Sequence, residues 1–172
     1  HWSRQIYSKR GKSMRKIFAF SLIILISCSK TNHEEKINEV LDSLHYLASM
    51  AEREQYIGLF SKDAVFFGTD ISERWPISKF DLYVKSRFDT GVGWTYKKNI
   101  RNIFISKDKK TAWFDEIVVN ESYGAMRGTG VLIYEKNEWK ISQYNLLLPI
   151  PNEYLQKYAK EIKKFYEKEN IE

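Results

Sequence analysis

Two neighbouring acids, Asp115 and Glu116, are the side chains of this sequence best suited to acid–base chemistry. They lie in a run, 111–121, that predicts a β-strand, so they face opposite sides of a sheet and one of them points inward. An inward carboxylate with a raised pKa can act as a general base beside a carbonyl group. Arg127, on the next predicted strand, could pair with either acid, and that ion pair would be structural. Both interpretations stay open at the level of sequence.

A second group of polar residues lies on the last predicted strand, 139–148. Gln143 and Asn145 share a face with Trp139 and Ile141 by strict alternation, and the two apolar residues mark that face as inward. Buried amides need hydrogen-bond partners. We therefore expect Gln143 and Asn145 to bind a polar group of a ligand, an ordered water or neighbouring side chains.

These residues are positioned by a predicted order of helix, strand, helix, four strands and helix. Helical spacing of apolar residues covers 34–60, with a break near Ala51, and a short apolar run at 64–68 predicts a strand. A helix follows Pro76. Four strands joined by short connections then predict antiparallel hairpins, at 94–106, 111–121, 126–135 and 139–148. This order predicts an α+β fold in which a curved antiparallel sheet packs on the N-terminal helices as a cone-shaped half-barrel, followed by a C-terminal helix.

Five short segments, in this order and spacing, resemble the SnoaL-like branch of the nuclear transport factor 2-like superfamily. They are Phe66–Asp70, Glu73–Trp75, Trp113–Glu116, Arg127–Leu132 and Trp139–Leu146. The resemblance covers about residues 35–150 and implies a pocket between the sheet and the helices. The superfamily contains polyketide cyclases, ketosteroid isomerases, dehydratases and non-catalytic binding modules, so the fold does not decide the function.

The resemblance, together with the inward-facing patterns, predicts which residues line the pocket: Phe67, Asp70, Trp75, Trp113, Arg127, Thr129, Gln143 and Asn145. Trp75 either covers the pocket mouth or packs under Pro76. The family often has a histidine near the end of the last strand, and this sequence has none there. That departure favours a binding module over an enzyme.

Three functions follow as alternatives. The first is a pocket for a small, largely apolar ligand; the second is an isomerase, cyclase or dehydratase with Asp115 or Glu116 as base. The third is a homodimer through the sheet, with Ile103, Ile105 and Val118 as exposed apolar residues. We predict no cofactor and no metal site, because the histidines of the folded part have no acid or cysteine arrangement around them.

The glycine-containing segment Gly128-Thr129-Gly130 lies in the middle of a predicted strand. Phosphate-binding glycine loops lie between a strand and a helix, which excludes that role here. Glycine inside a strand more often indicates a bulge or a close approach of another group.

Near the N-terminus, Met14-Arg15-Lys16 precedes an apolar run that ends at Ser27-Cys28. The run is too short to span a bilayer, and the order resembles a bacterial lipoprotein signal, which implies cleavage before Cys28 and lipid on its thiol. A buried segment with a core cysteine is the alternative. We expect a leader at 1–27 with Met14 as the start, a tether at 28–33, a SnoaL-like domain at 34–150 and a C-terminal helix at 151–172. The protein would then be exported and anchored to a bacterial membrane, on its periplasmic or surface face.

The net charge of +6 belongs to the leader. Residues 1–27 contain six basic residues and no acid, which leaves 22 basic and 22 acidic residues in the remainder. A formally neutral domain gives no electrostatic reason to expect a nucleic-acid partner.

Overall fold

The computed structural model describes the backbone of residues 17–169 and the side chains of residues 33–168. It contains four helices in that range: α1 (Ile17–Ser49), α2 (Arg53–Gly58), α3 (Ile77–Phe88) and α4 (Asn152–Glu169). The start of the predicted leader and the Cys28 side chain lie outside the described residues, so the leader and the lipid remain predictions. The predicted tether, 28–33, lies within α1. None of the described helices has the length and apolar character needed to cross a membrane.

The break between α1 and α2 falls where the spacing of apolar residues predicts it. Leu41, Leu44 and Ala48 are buried at helical spacing on α1, and the helix ends because Ala51 adopts a positive φ of 57°. Helix α2 ends at Gly58, two residues earlier than predicted. The Ile141 N–H donates a hydrogen bond of 2.9 Å to the Leu59 carbonyl, which commits the chain to the sheet at that point.

Among the described residues, six strands form one sheet. They are β1 (Phe60–Phe67), β2 (Arg74–Pro76), β3 (Lys97–Ile105), β4 (Thr111–Asn120), β5 (Gly124–Glu135) and β6 (Glu138–Leu147). Their order is β2-β1-β6-β5-β4-β3, with β1 and β6 parallel and the other neighbours antiparallel. Edge strands β2 and β3 do not meet, so the sheet stays an open half-barrel. The predicted α+β class is confirmed, and only the short strand β2 was not predicted.

The inner face of the sheet packs against α1 and α3 and holds the core. Phe80 and Val84 of α3 and Leu132 and Ile141 of the sheet are each at most 1% exposed. Burial of this apolar surface is the main source of stability for such a domain.

The outer face of the sheet carries a different set of apolar residues from those predicted. Val118 is fully buried, and Ile103 and Ile105 are partly buried against the core, so all three face inward. Phe104, between the two isoleucines, and its β4 partner Trp113 point outward instead, with ring centroids 5.8 Å apart, and each is 48% exposed. The prediction of which apolar residues are exposed was wrong by one position along the strand. A shift of one position moves a side chain to the opposite face of the sheet.

Helix α4 lies apart from the core. Its apolar stripe remains 43–54% exposed and consists of Leu155, Tyr158, Ile162 and Phe165. Near its C-terminal end, the Tyr166 hydroxyl donates a hydrogen bond of 3.3 Å to Asp70.

Candidate functional site

A cavity of about 1050 Å³ lies between the inner face of the sheet and the helices. Its volume is at the upper end of the range usual for small-molecule sites. Nine aromatic side chains contribute to its wall: Tyr56, Phe66, Trp75, Phe80, Tyr83, Trp94, Tyr96, Tyr123 and Tyr144. The wall is therefore rich in rings, several of which carry a hydroxyl or an indole N–H, and it also contains charged side chains, among them Glu73, Arg87, Lys97 and Glu121.

Several of these rings lie in nearly parallel planes. Phe66 stacks on Tyr144 with a centroid distance of 5.6 Å and an angle of 15°. Further along, Trp75 stacks on Tyr83 at 4.7 Å, and Tyr83 stacks on Trp94 at 5.8 Å and 18°. Aromatic side chains packed in this way supply a large apolar contact area, which favours an aromatic ligand.

Glu116 is the inward acid of the pair singled out in the sequence. Alternation along β4 turns it toward the interior, and the residue is 0% exposed. Its Oε1 atom lies 2.8 Å from His45 Nε2 and accepts a hydrogen bond of 3.0 Å from the Tyr144 hydroxyl. His45 and Tyr144 both line the cavity, so this group of buried polar side chains forms part of its wall.

Arg101 neutralises the Glu116 carboxylate. Its Nε donates a hydrogen bond of 2.9 Å to Oε2, and its Nη2 lies 2.7 Å from the same oxygen at an angle unsuited to a hydrogen bond. The Nη1 atom donates to Asp42 at 2.7 Å. Since the Arg101 side chain is only 2% exposed, this is a buried ion pair.

The protonation states follow from these contacts. Burial raises the pKa of Glu116, but the hydrogen bond from His45 and the charges of His45 and Arg101 outweigh it and hold that pKa below its usual value. An ionised carboxylate only accepts hydrogen bonds, so His45 Nε2 carries a proton. Burial, followed by the Glu116 charge, raises the pKa of Tyr144 well above normal, and its hydroxyl stays a donor. Both carboxylate oxygens of Glu116 are already engaged, Oε1 by His45 and Tyr144 and Oε2 by Arg101, so the side chain has no free oxygen directed at a ligand.

Gly128 allows Tyr144 and Glu116 to approach each other. A Cβ atom at this position would lie 2.5 Å from the Tyr144 hydroxyl and 3.0 Å from Glu116 Oε1. Two residues on, a Cβ at Gly130 would lie 2.2 Å from the Gln143 carbonyl oxygen. The close approach predicted for this segment is confirmed. Its reason is that the Glu116 carboxylate of β4 and the Tyr144 phenol of β6 meet over Gly128 of β5.

On β6, the expectation that Gln143 and Asn145 face inward is wrong. Ile141 pairs with Leu132, but Gln143 pairs with Val131, so Ser142 is an extra residue in this strand. Such a bulge shifts the alternation by one position. Trp139 and Ile141 point inward as predicted, whereas beyond the bulge Tyr144 and Leu146 do so instead.

On β4 and β5, three more predicted residues lie on the outer face. Trp113 is 48% exposed, Arg127 is exposed and Thr129 is half-buried there. Asp115 also faces outward and accepts a hydrogen bond of 2.9 Å from Asn102 Nδ2. The expectation that these residues line the pocket or pair with its acid is wrong, because the inward residues of both strands are their immediate neighbours.

Around β1 and β2, one of three predicted residues lies in the cavity wall. Trp75 lines the cavity. Phe67 turns to the opposite face, where it lies 5.7 Å from the Arg74 guanidinium, and Phe66 takes the inward position. Asp70 is exposed and binds Ser72 and Tyr166. Those two predictions of pocket lining are therefore wrong.

The residues that sequence reasoning missed are His45, Arg101 and Tyr144. Two of them had a usable signal. Arg101 is opposite Glu116 when the β3–β4 hairpin is counted back evenly from its turn at 107–110, and His45 falls on the apolar face of α1 with Leu41 and Leu44. Tyr144 had none, because only the bulge at Ser142 turns it inward.

The sequence matches the model of the SnoaL-like domain over residues 37–151. The chain therefore belongs to the SnoaL-like domain family. No protein of curated function matches the sequence.

Solved structures share the fold. An NTF2-like protein of unknown function from Pseudomonas putida is 13% identical with a TM-score of 0.60, and the match covers 72% of this chain and 91% of that one. A Novosphingobium aromaticivorans protein, provisionally named a scytalone dehydratase, is also 13% identical with a TM-score of 0.60 and coverages of 70% and 87%. An NTF2-like protein from Shewanella baltica is 17% identical, with a TM-score of 0.54 and coverages of 67% and 93%.

Proposed function

We propose that this domain binds a small, largely apolar ligand in the aromatic cavity and does not catalyse a reaction. The observation that carries the proposal is a cavity of about 1050 Å³ with nine rings in its wall. The inward carboxylate, Glu116, is already paired with Arg101 and therefore offers no free base. Affinity in such a site comes from burial of the apolar surface of the ligand and from ring stacking.

Calorimetric titration of the full chain with 2-naphthol, a flat and neutral probe, tests this proposal. We expect one-to-one binding that Trp94→Ala weakens, because Trp94 lines the cavity and stacks on Tyr83. The control is Trp113→Ala, which removes a tryptophan that stacks on Phe104 on the outer face, away from the cavity. Equal loss in both variants, or no binding in the parent chain, would contradict the proposal.

A second candidate function, acid–base catalysis, is favoured by the contact between His45 and Glu116. A carboxylate that orients an imidazole at 2.8 Å is a common way to prepare a histidine for proton transfer. Under this second function, the base of the isomerase, cyclase or dehydratase is His45 and not Asp115 or Glu116. One solved structure of the same fold carries the provisional name of a scytalone dehydratase.

Proton exchange distinguishes the two functions. 2-Tetralone in heavy water is a suitable probe, because it is flat and has exchangeable protons beside a ketone. If His45 is a base, the full chain accelerates the exchange seen by NMR, and His45→Gln removes the acceleration while Arg127→Gln, on the outer face, retains it. No acceleration over buffer supports the binding function alone.

We also propose that a lipid on Cys28 holds the domain at a bacterial membrane. What supports this is the order of a basic start, an apolar run and the cysteine. Stable anchoring requires two or more acyl chains, as the diacylglycerol of bacterial lipoproteins would provide. Fractionation of cells that express the full chain should find it with membranes, whereas Cys28→Ser should move to the soluble fraction and the neighbouring Ser29→Ala should not. A Cys28→Ser variant that stays with membranes would refute the anchor.

A further inference from the structure

Helix α4 exposes an apolar stripe that the rest of the described chain does not cover. Every side chain of residues 152–168 is exposed except that of Tyr166, which is partly buried. A hydrogen bond of 3.3 Å from the Tyr166 hydroxyl to Asp70 joins the helix to the loop after β1. The stripe residues, each 43–54% exposed, are Leu155, Tyr158, Ile162 and Phe165. A contiguous apolar stripe left open in this way indicates contact with another molecule.

The spacing of the stripe fits a second helix. Leu155, Tyr158, Ile162 and Phe165 follow one another at intervals of three, four and three residues. These intervals are the a/d pattern of a coiled coil, in which each apolar side chain packs between side chains of the facing helix. The stripe therefore forms a seam about two heptads long, which a partner helix of the same pattern can fill.

The charges of α4 suit a second copy better than a membrane surface. The helix contains five lysines and four glutamates, which leaves a net charge of only +1. Helices that lie on membranes are typically rich in lysine or arginine, which attract anionic lipids. Beside the seam, at the positions that face a partner in a coiled coil, the charged residues are Glu161 and Lys168. Because one is an acid and the other a base, two copies of this face carry no net charge against each other.

The position of α4 in the fold also argues against a membrane as its partner. His33 follows Cys28 by five residues, and its Nδ1 accepts a hydrogen bond of 3.2 Å from Trp139 Nε1 at the start of β6. Helix α4 follows the end of the same strand, and a strand of ten residues is about 33 Å long. The proposed lipid on Cys28 therefore holds the opposite end of the domain at the membrane.

We propose that α4 pairs with α4 of a second copy of this chain through this seam. The four half-exposed stripe residues leave roughly 400 Å² of apolar surface on each copy. With the residues beside the seam, a pair buries roughly 1,000 Å² in total, which is at the low end for specific interfaces. The dimer is therefore weak, with a Kd on the order of 10 µM. It forms whether or not the cavity holds a ligand.

Sedimentation velocity of the full chain between about 1 and 500 µM, a range that brackets this Kd, tests the pairing. The variant is Ile162→Glu, which places a charge in the middle of the seam. The matched control is Gln156→Glu, which adds the same side chain to the same helix on the face opposite the stripe. Because no residue of α4 belongs to the core, neither change should shift Tm, and a loss of association then does not reflect a failure to fold.

We expect the parent chain and Gln156→Glu to pass from monomer to dimer near 10 µM. Ile162→Glu should associate about tenfold or more weakly, because a charge buried in the seam without a partner is costly. Trp113→Asp, on the outer face of the sheet, should associate as the parent chain does, since that face is not part of the seam.

Three results would overturn the pairing. The first is a parent chain that stays a monomer over the whole range. The second is a dimer that Ile162→Glu retains, including one that only Trp113→Asp dissociates. The third comes from vesicles that contain phosphatidylglycerol: if a monomeric parent chain binds them and Ile162→Glu does not, the stripe contacts lipid and not a second copy.

Discussion

Removal of the charge on Arg101 perturbs the site at its centre. Arg101→Met retains most of the apolar stem but deletes the guanidinium, which contacts Glu116, Asp42 and Asn38. Asp42 is half exposed and keeps Lys98 as a partner. Glu116 is 0% exposed and would retain only its contacts with His45 and Tyr144. The variant therefore leaves a buried negative charge without its main counter-ion.

The expected loss follows from that burial. Removing one partner of a buried ion pair typically lowers the free energy of unfolding by about 3–5 kcal/mol. For a domain of this size such a loss lowers Tm by roughly 6–20 °C. The control is Arg53→Met, which removes a guanidinium that pairs with Asp81 while one third exposed, and it should lose far less because solvent screens that pair.

Thermal and urea unfolding of the full chain, followed by circular dichroism, measure these changes. Adding Glu116→Gln to Arg101→Met removes the unpaired charge, so the double variant should recover part of the lost stability. A double-mutant cycle then gives the coupling between the two residues. An Arg101→Met variant within about 1 kcal/mol of the parent would refute the reasoning, and so would a double variant no more stable than the single one.

Three further outcomes are expected. Because the folded state lowers the pKa of Glu116, its carboxylate stabilises the fold above the pKa of the unfolded chain. This stabilisation is lost as the pH falls through the folded pKa. The urea midpoint should therefore fall on acidification more steeply for the parent chain than for Glu116→Gln. Gly128→Ala should lower the free energy of unfolding by about 1–3 kcal/mol, because the new methyl group overpacks against Tyr144. Gly58→Ala is the control: no atom lies within 4 Å of its new Cβ, so its unfolding midpoint should stay near that of the parent chain. If two copies pair through the sheet, the parent chain sediments as a dimer, and Trp113→Asp, a change on the exposed outer face, sediments as a monomer. A parent chain that sediments as a monomer contradicts such pairing.

The secondary structure was predictable because each element has its own period. Apolar residues three and four apart predicted α1 and α2, and the four strands from β3 to β6 were predicted to within a few residues. Short strand β2 was missed, since its three residues are too few to show a period. The family resemblance rested on the order of these elements and is confirmed by the match over residues 37–151.

The candidate site was predictable only in part. Alternation identified Glu116 as a candidate for the inner face, and the family resemblance identified Trp75 as a candidate for the pocket. Glu116 is buried on the inner face of the sheet, and Trp75 lines the cavity. Gln143 and Asn145 were assigned to the wrong face because strict alternation does not anticipate the bulge at Ser142. The residue type at position 142 does not indicate a bulge, because the bulge depends on how β6 pairs with both of its neighbouring strands.

The sequence by itself determined the elements, the fold class and the presence of one acid on the inner face, because these depend on residue spacing along a single strand or helix. Only the tertiary structure decided the state of that acid. Arg101, His45 and Tyr144 come from three different elements and meet at Glu116. A pKa depends on the charges and hydrogen bonds around a group in space, so the carboxylate that suggested a base in the sequence is an ion-paired residue in the folded chain.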